Sequence, residues 1–176
     1  MIRGSHDIAP TILVVDDEPA NILILRRVFE ELPCQVEAVN NGWQAIELCQ
    51  KKEYALICLD ILMPEINGLD TLIRIRSKVT NKETPVFFMT GMDMDPELLM
   101  RAYNAGAVDF IQKPFNLNIL TRKSRFFINF FAQKEELKRA RKESEMLLET
   151  RMSLIANITH DLRTPLFGML GMIDIL

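Results

Sequence analysis

The sequence predicts a doubly wound α/β domain with five parallel strands, followed by one long C-terminal helix. Three observations carry this prediction. Short apolar or β-branched runs alternate with segments of helical periodicity over residues 11–115. Three of those runs are almost continuously apolar, as suits strands of a parallel sheet covered by helices on both faces. From Phe115 to Thr164 there is neither glycine nor proline, and helix formers dominate.

The strands are TILVV (11–15), QVEAV (35–39), YALICL (54–59), PVFFMT (85–90) and VDFIQ (108–112). The intervening helices fall at about 19–31, 42–51, 67–78 and 95–104. Five βα units in succession give a parallel sheet, with a site outside the carboxyl ends of its strands. Residues 1–9 are set aside, because MIRGSH resembles an expression-vector scar and is expected to be disordered, so His6 carries no weight. The α/β domain is placed at 10–120, a helical linker at 121–150 and a last helical segment at 151–176.

The composition is that of a soluble globular protein, 48% hydrophobic and 26% charged, and a net charge of −3 argues against nucleic acid as a partner. The apolar runs are too short to span a membrane. Cys34, Cys49 and Cys58 lie in apolar segments at unrelated spacings, so they are expected to be reduced core thiols of a cytoplasmic protein.

The linker carries mixed charges between residues 134 and 151, with favourable i,i+4 pairs such as Glu135 with Arg139. An apolar or small seam recurs at spacings of three and four: Phe130, Leu137, Ala140, Ser144, Leu147, Leu154 and Ile158, interrupted by Gln133 and Arg151. A polar helix this long needs something to pack on, so a parallel coiled-coil homodimer is expected. FFINFF (126–131) is apolar nearly all round, with one face for the α/β domain and one for a partner.

Four motifs fall at the ends of predicted strands: Asp16-Asp17, Asp60 in DILMPEINGLD, Thr90, and Lys113-Pro114. The topology brings them to one rim. Three carboxylates at close range repel one another unless a cation sits among them, and hard oxygen ligands suit Mg²⁺, or Mn²⁺. With a lysine and a hydroxyl beside it, such a site can hold a phosphoryl group on one carboxylate. An Asp-Asp pair before a helix can equally be ordinary capping chemistry, and a lone Lys-Pro an ordinary turn.

ILVVDDEP, LICLDILMPEINGLD, VFFMTG and AGAVDFIQKPF, in this order and spacing, resemble the receiver domain of two-component response regulators. The resemblance covers the whole α/β domain and implies a flavodoxin-like fold. It implies Asp60 as phosphoacceptor, with Asp16, Asp17, Asp60 and the Leu62 carbonyl around the metal. Thr90 and Lys113 become phosphoryl contacts, the Lys113-Pro114 bond is cis, and Thr90 and Phe110 form the switch. Phe110 departs from the more usual tyrosine and lacks its hydroxyl. Gly91 replaces a frequent alanine. An upstream phosphodonor kinase or phosphotransfer protein is the implied partner.

ANITHDLRTPL resembles the H-box of sensor histidine kinases. That likeness implies His160 as phosphoacceptor on a dimerisation helix, with Asp161 acting on its imidazole, Thr164 at a position linked to phosphatase activity and Pro165 at a kink. No ATP-binding segment follows, so this sequence is expected to be part of a longer hybrid histidine kinase and unable to autophosphorylate alone. If residues 116–160 form one helix, His160 lies about 66 Å from its start, which disfavours direct transfer to Asp60 within one chain. Three readings follow: a receiver acting as input to a kinase core, a phosphorelay from His160 to Asp60, and a dimeric scaffold that works without phosphorylation. The first fits the order of the segments best.

Overall fold

The computed structural model describes the backbone of residues 9–91 and 95–173, and the side chains of these except Ala156 and those from 159 onward. The order is β1 (Thr11–Val15), α1 (Pro19–Phe29), β2 (Gln35–Val39), α2 (Gly42–Lys51), β3 (Leu56–Asp60), α3 (Gly68–Arg76), β4 (Val86–Thr90), α4 (Pro96–Asn104), β5 (Asp109–Gln112) and α5 (Leu117–Ile173). All strand pairings are parallel, in the order β2-β1-β3-β4-β5. This is the flavodoxin-like arrangement with its crevice between β1 and β3.

Every residue of β1, β3 and β4 is buried, whereas β2 and β5, at the edges, are partly exposed. Strand side chains alternate between the faces. Ile12, Val14, Leu56, Cys58, Phe87 and Met89 point to the face covered by α1 and the start of α5. Leu13, Val15, Ile57, Leu59 and Phe88 point to the face covered by α2, α3 and Ala102 of α4.

Local chemistry sets the ends. β3 begins at Leu56 rather than Tyr54, because the Tyr54 amide donates to Asn81 Oδ1 (3.0 Å). It extends to Asp60, which pairs with Met89. Helix α1 stops at Phe29, short of the expected residue 31, where Leu32 donates back to the Phe29 carbonyl ahead of Pro33. Asn67 caps α3 by accepting from the Asp70 amide (2.8 Å), and Asp95 caps α4, which starts on Pro96.

Asn81, fully buried, joins three segments at the end of the sheet away from the strand carboxyl termini. Besides the Tyr54 amide its Oδ1 accepts from Thr84 (2.9 Å), and its Nδ2 donates to the Cys49 and Lys52 carbonyls (both 2.7 Å). Arg76 donates to the backbone carbonyls of Asn81, Thr84 and Gly106, holding the same loops.

The chain divides into two units, residues 1–132 and 133–176. In the first, Leu120, Ile128 and Phe131 of α5 are buried, and Phe127 meets Phe87 edge-on at 5.4 Å. Phe126 and Phe130 are exposed and stack on each other, centroids 6.5 Å apart. FFINFF therefore has one covered and one open face. In the second unit, Leu137, Leu147, Leu154 and Ile158 of the seam are exposed, while Glu135 pairs with Lys138 and Arg141 with Glu145. No helix among the described residues is long and apolar enough to cross a membrane.

Two predictions test the packing. Asn81→Ala strips partners from four backbone and side-chain groups, three of them in buried bonds, and should lower the unfolding free energy by about 2–4 kcal/mol in urea titration. Ser124→Ala is its opposite: the Ser124 hydroxyl is buried without a hydrogen-bond partner, so its removal should be neutral or stabilising by up to about 1 kcal/mol. Burial also pushes the thiols up, Cys34 to about 11 and Cys49 to about 12, with Cys58 raised further. All three should therefore stay protonated at pH 8 and resist iodoacetamide in the native protein, half-buried Cys34 reacting first, and all should label on denaturation.

Candidate functional site

The strand register places the chemistry. Val15 lies beside Leu59 and Val39, and Thr90 beside Gln112. The residues just past or at these positions therefore share one edge: Asp16 after β1, Asp60 ending β3, Thr90 ending β4 and Lys113 after β5. Backbone bonds beyond the ladders lock the edge, Asp16 N–H to Val39 O (3.3 Å), Ile61 N–H to Met89 O (3.2 Å) and Lys113 N–H to Thr90 O (2.7 Å). The Lys113-Pro114 bond is cis.

Oxygen atoms of Asp16, Asp17 and Asp60 all lie within 4.8 Å of one another. Asp16 is fully buried and Asp60 nearly so, whereas Asp17 faces solvent. Lys113 Nζ bridges the two buried carboxylates, 2.9 Å from Asp16 Oδ2 and 2.9 Å from Asp60 Oδ2. Burial raises the Asp60 carboxyl above the usual range, and the Lys113 ammonium and the Leu62 amide pull against that rise. Burial works on Lys113 in the other direction, but its two carboxylate partners outweigh it and leave the ammonium more firmly protonated than a free lysine. Three carboxylates against one ammonium leave the cluster short of positive charge. The donor set, all hard oxygen, fits a small divalent cation.

Asp16 is held by more than Lys113. The Glu18 amide donates to its Oδ1 (2.9 Å), and Asn21 Nδ2 lies 3.0 and 3.1 Å from its two oxygens. Sequence reasoning missed Asn21. Its signal was a polar side chain in the first turn of α1, five residues after Asp16 and just ahead of the apolar run ILIL.

Gly68 is a second omission. A Cβ there would stand 2.2 Å from the Asp60 carbonyl oxygen, so α3 approaches the end of β3 only because the residue is glycine. In the loop between them Glu65 has φ +65°, with the Ile66 amide donating back to Pro64 O (2.7 Å), a γ-turn that directs the chain after Leu62 back over the edge. The Leu62 side chain is exposed.

The Thr90 hydroxyl is nearly buried, donates to Gly91 O (3.2 Å) and stands on the strand beside Asp60. A Cβ on Gly91 would meet nothing within 4 Å, so the space there accepts the more usual alanine. Phe110, half-buried, packs between Phe88 (5.9 Å) and Tyr103 (4.8 Å, edge-on). Tyr103 on α4 is half-exposed and carries the hydroxyl that Phe110 lacks. The structure thus gathers Asp16, Asp17, Asp60 and Lys113 into one cluster, with Thr90 on the same edge and Phe110 on β5. The side chains of His160, Asp161, Thr164 and Pro165 lie outside the described residues.

Replacing Lys113 with methionine keeps the stem and removes the charge between two carboxylates. In the metal-free protein the Asp60 pKa should rise further, which a carboxyl-carbon NMR titration of native and variant protein would read. An unchanged or lowered value would refute the bridging role.

Residues 12–125 match the family model of the response regulator receiver domain. Over 110 residues the chain is 34% identical to a probable cyclic di-GMP phosphodiesterase of Vibrio cholerae, and over 105 residues 31% identical to the transcriptional regulatory protein SrrA of Staphylococcus aureus. These alignments cover 62% and 60% of this chain but only 24% and 42% of the relatives. Among solved structures, the receiver domain of a Syntrophus aciditrophicus signal transduction histidine kinase superposes with TM-score 0.62 at 30% identity, over 69% of this chain and 91% of that one. The receiver domain of a Pseudomonas aeruginosa sensor histidine kinase, with a magnesium ion coordinated in its active-site cleft, gives TM-score 0.62 at 25% identity, over 69% and 98%. With its carboxylate edge, its bridging lysine and these likenesses together, the chain belongs to the response regulator receiver family of two-component signalling.

Proposed function

We propose that this receiver accepts a phosphoryl group on Asp60 with Mg²⁺ bound, and passes its state through a dimeric α5 to a histidine kinase core. The observation that carries the proposal is the bridge of Lys113 Nζ, 2.9 Å from both Asp16 and Asp60, beside a third carboxylate. Asp16, Asp17 and Asp60 would hold the metal, with the Leu62 carbonyl as a further ligand; Mn²⁺ suits the same donors. When bound, the ion supplies positive charge to the phosphoryl oxygens.

The residues of the chain have defined tasks. Asp60 Oδ attacks phosphorus as an oxygen–phosphorus bond forms. The bond from phosphorus to the donor's imidazole nitrogen breaks, and its electron pair returns to that nitrogen. Asn21 and the Glu18 amide keep Asp16 in place. Lys113 exchanges part of its carboxylate contact for a phosphoryl oxygen, and the Thr90 hydroxyl donates to another. A displaced Thr90 changes the space beside β5, and Phe110 follows it. The donor is the phosphohistidine of an upstream kinase or phosphotransfer protein.

The H-box likeness of ANITHDLRTPL supports the kinase core as recipient, with His160 as its phosphoacceptor and Asp161 as the group acting on it. The exposed apolar residues of α5 support the dimer. Two histidine-kinase receivers among the similar structures agree with a receiver in such a protein.

Acetyl phosphate with Mg²⁺ should label the protein by one phosphoryl group, read by mass spectrometry. Chelation and Asp60→Asn should each abolish the label, and labelling that survives Asp60→Asn would overturn the proposal. Light scattering on the whole chain should give twice the monomer mass, and a chain ending at Ala132, which keeps buried Ile128 and Phe131, should be monomeric.

A further inference from the structure

The apolar residues of α5 beyond residue 132 do not form one straight stripe. Heptad spacing from Leu137 runs through Ala140, Ser144 and Leu147, and then meets Arg151. Continuing that alternation would bury Arg151 at a core position of a coiled coil, with each Arg151 facing its own copy. Two guanidinium groups at that distance repel and lose water. A second stripe lies beside the first: Leu148, Met152 and Ile155 are 55%, 72% and 65% exposed, as open as Leu147 and Leu154. In the sequence, the first alternation continues through Ile158 to Asp161 and Pro165, whereas the second continues through Thr159 to Leu162, Leu166 and Met169.

We infer that two copies of this chain pair in parallel along α5 with a seam that changes phase, running Leu137, Ala140, Ser144, Leu148, Met152, Ile155 and leaving Arg151 at the rim. The inference rests on the dimeric reading of α5 above. Three successive steps of four, from Ala140 to Met152, followed by one of three, take the seam through about 3.75 residues per turn, above the 3.6 of a straight helix. The left-handed supercoil of the first heptad must therefore unwind across this stretch. Ser144, small and polar, sits where the unwinding begins.

Charge argues for the second copy and for its direction. In the heptad that starts at Leu137, Glu136 and Arg141 occupy the positions that face each other across a parallel pair, five residues apart on the two chains. Both are exposed, and the pairing of Arg141 with Glu145 (2.8 Å) is an open surface pair that can exchange at little cost. An antiparallel pair would set Glu136 against Glu143 and Lys134 against Arg141, like charge on like.

The test uses single cysteines in the whole chain at Leu148, Arg151, Met152 and Leu154, all exposed, oxidised under native conditions and read on a non-reducing gel. The chain without an added cysteine, whose own thiols are buried or half-buried, is the control. Leu148→Cys and Met152→Cys should form disulfide dimers about five-fold or more faster than Arg151→Cys and Leu154→Cys, because only core positions bring the two Cβ atoms within disulfide reach. The reverse order in a dimeric protein would overturn the phase change while sparing the dimer. A dimer that crosslinks at none of the four would overturn the parallel seam. A monomeric mass by light scattering would overturn both readings.

Discussion

The Lys113 ammonium between Asp16 and Asp60 is the interaction on which the rest of the site depends. Two carboxylates buried side by side repel each other and lose hydration, and neither cost is tolerable without a cation held in place. The lysine can serve only because the backbone delivers it there. The Lys113 amide bonds to Thr90 O, so the end of β5 is fixed to the end of β4, and Met89 of β4 pairs with Asp60. A one-residue slip in either pairing would turn Lys113 or Asp60 to the other face of the sheet.

The same constraint explains features that carry no charge. α3 must start directly behind Asp60, and Gly68 allows it by offering no Cβ to the Asp60 carbonyl. Gly42 does the same for α2, where a Cβ would stand 2.1 Å from Thr71 Oγ1, so α2 and α3 close on each other behind the site. At the far end of the sheet Asn81 and Arg76 hold the loops by hydrogen bonds to backbone. The carboxyl end is thereby left to acidic residues that would be a liability anywhere else.

The first turns of α5 belong to this sheet through Ile128, Phe131 and the edge-on contact of Phe127 with Phe87. Phe87 is next to Phe88, which packs on Phe110, so neighbouring residues of β4 face the α5 side and the α4–β5 side of the domain. Any shift of β4 at Thr90 is therefore felt on both faces, because close-packed interiors transmit displacement rather than absorb it.

The element order, the three buried strands and the acidic edge were legible in the sequence, because each rests on local composition. A strand buried on both faces must be apolar throughout, and a residue at a strand's carboxyl end must lie at the crevice of a parallel sheet. Asp16, Asp60, Thr90 and Lys113 were found that way. Asn21, Gly68 and Tyr103 were not, since their roles exist only against partners distant in the chain or across a close backbone approach. The element ends shifted by one or two residues for the same reason: Tyr54 leaves the ladder for Asn81, a partner 27 positions away. Sequence alone determined which chemistry is present. Only the tertiary structure decided that Asp16 and Asp60 share one lysine while Asp17 stays open to solvent, because burial and distance are properties of the packed sheet and not of any motif.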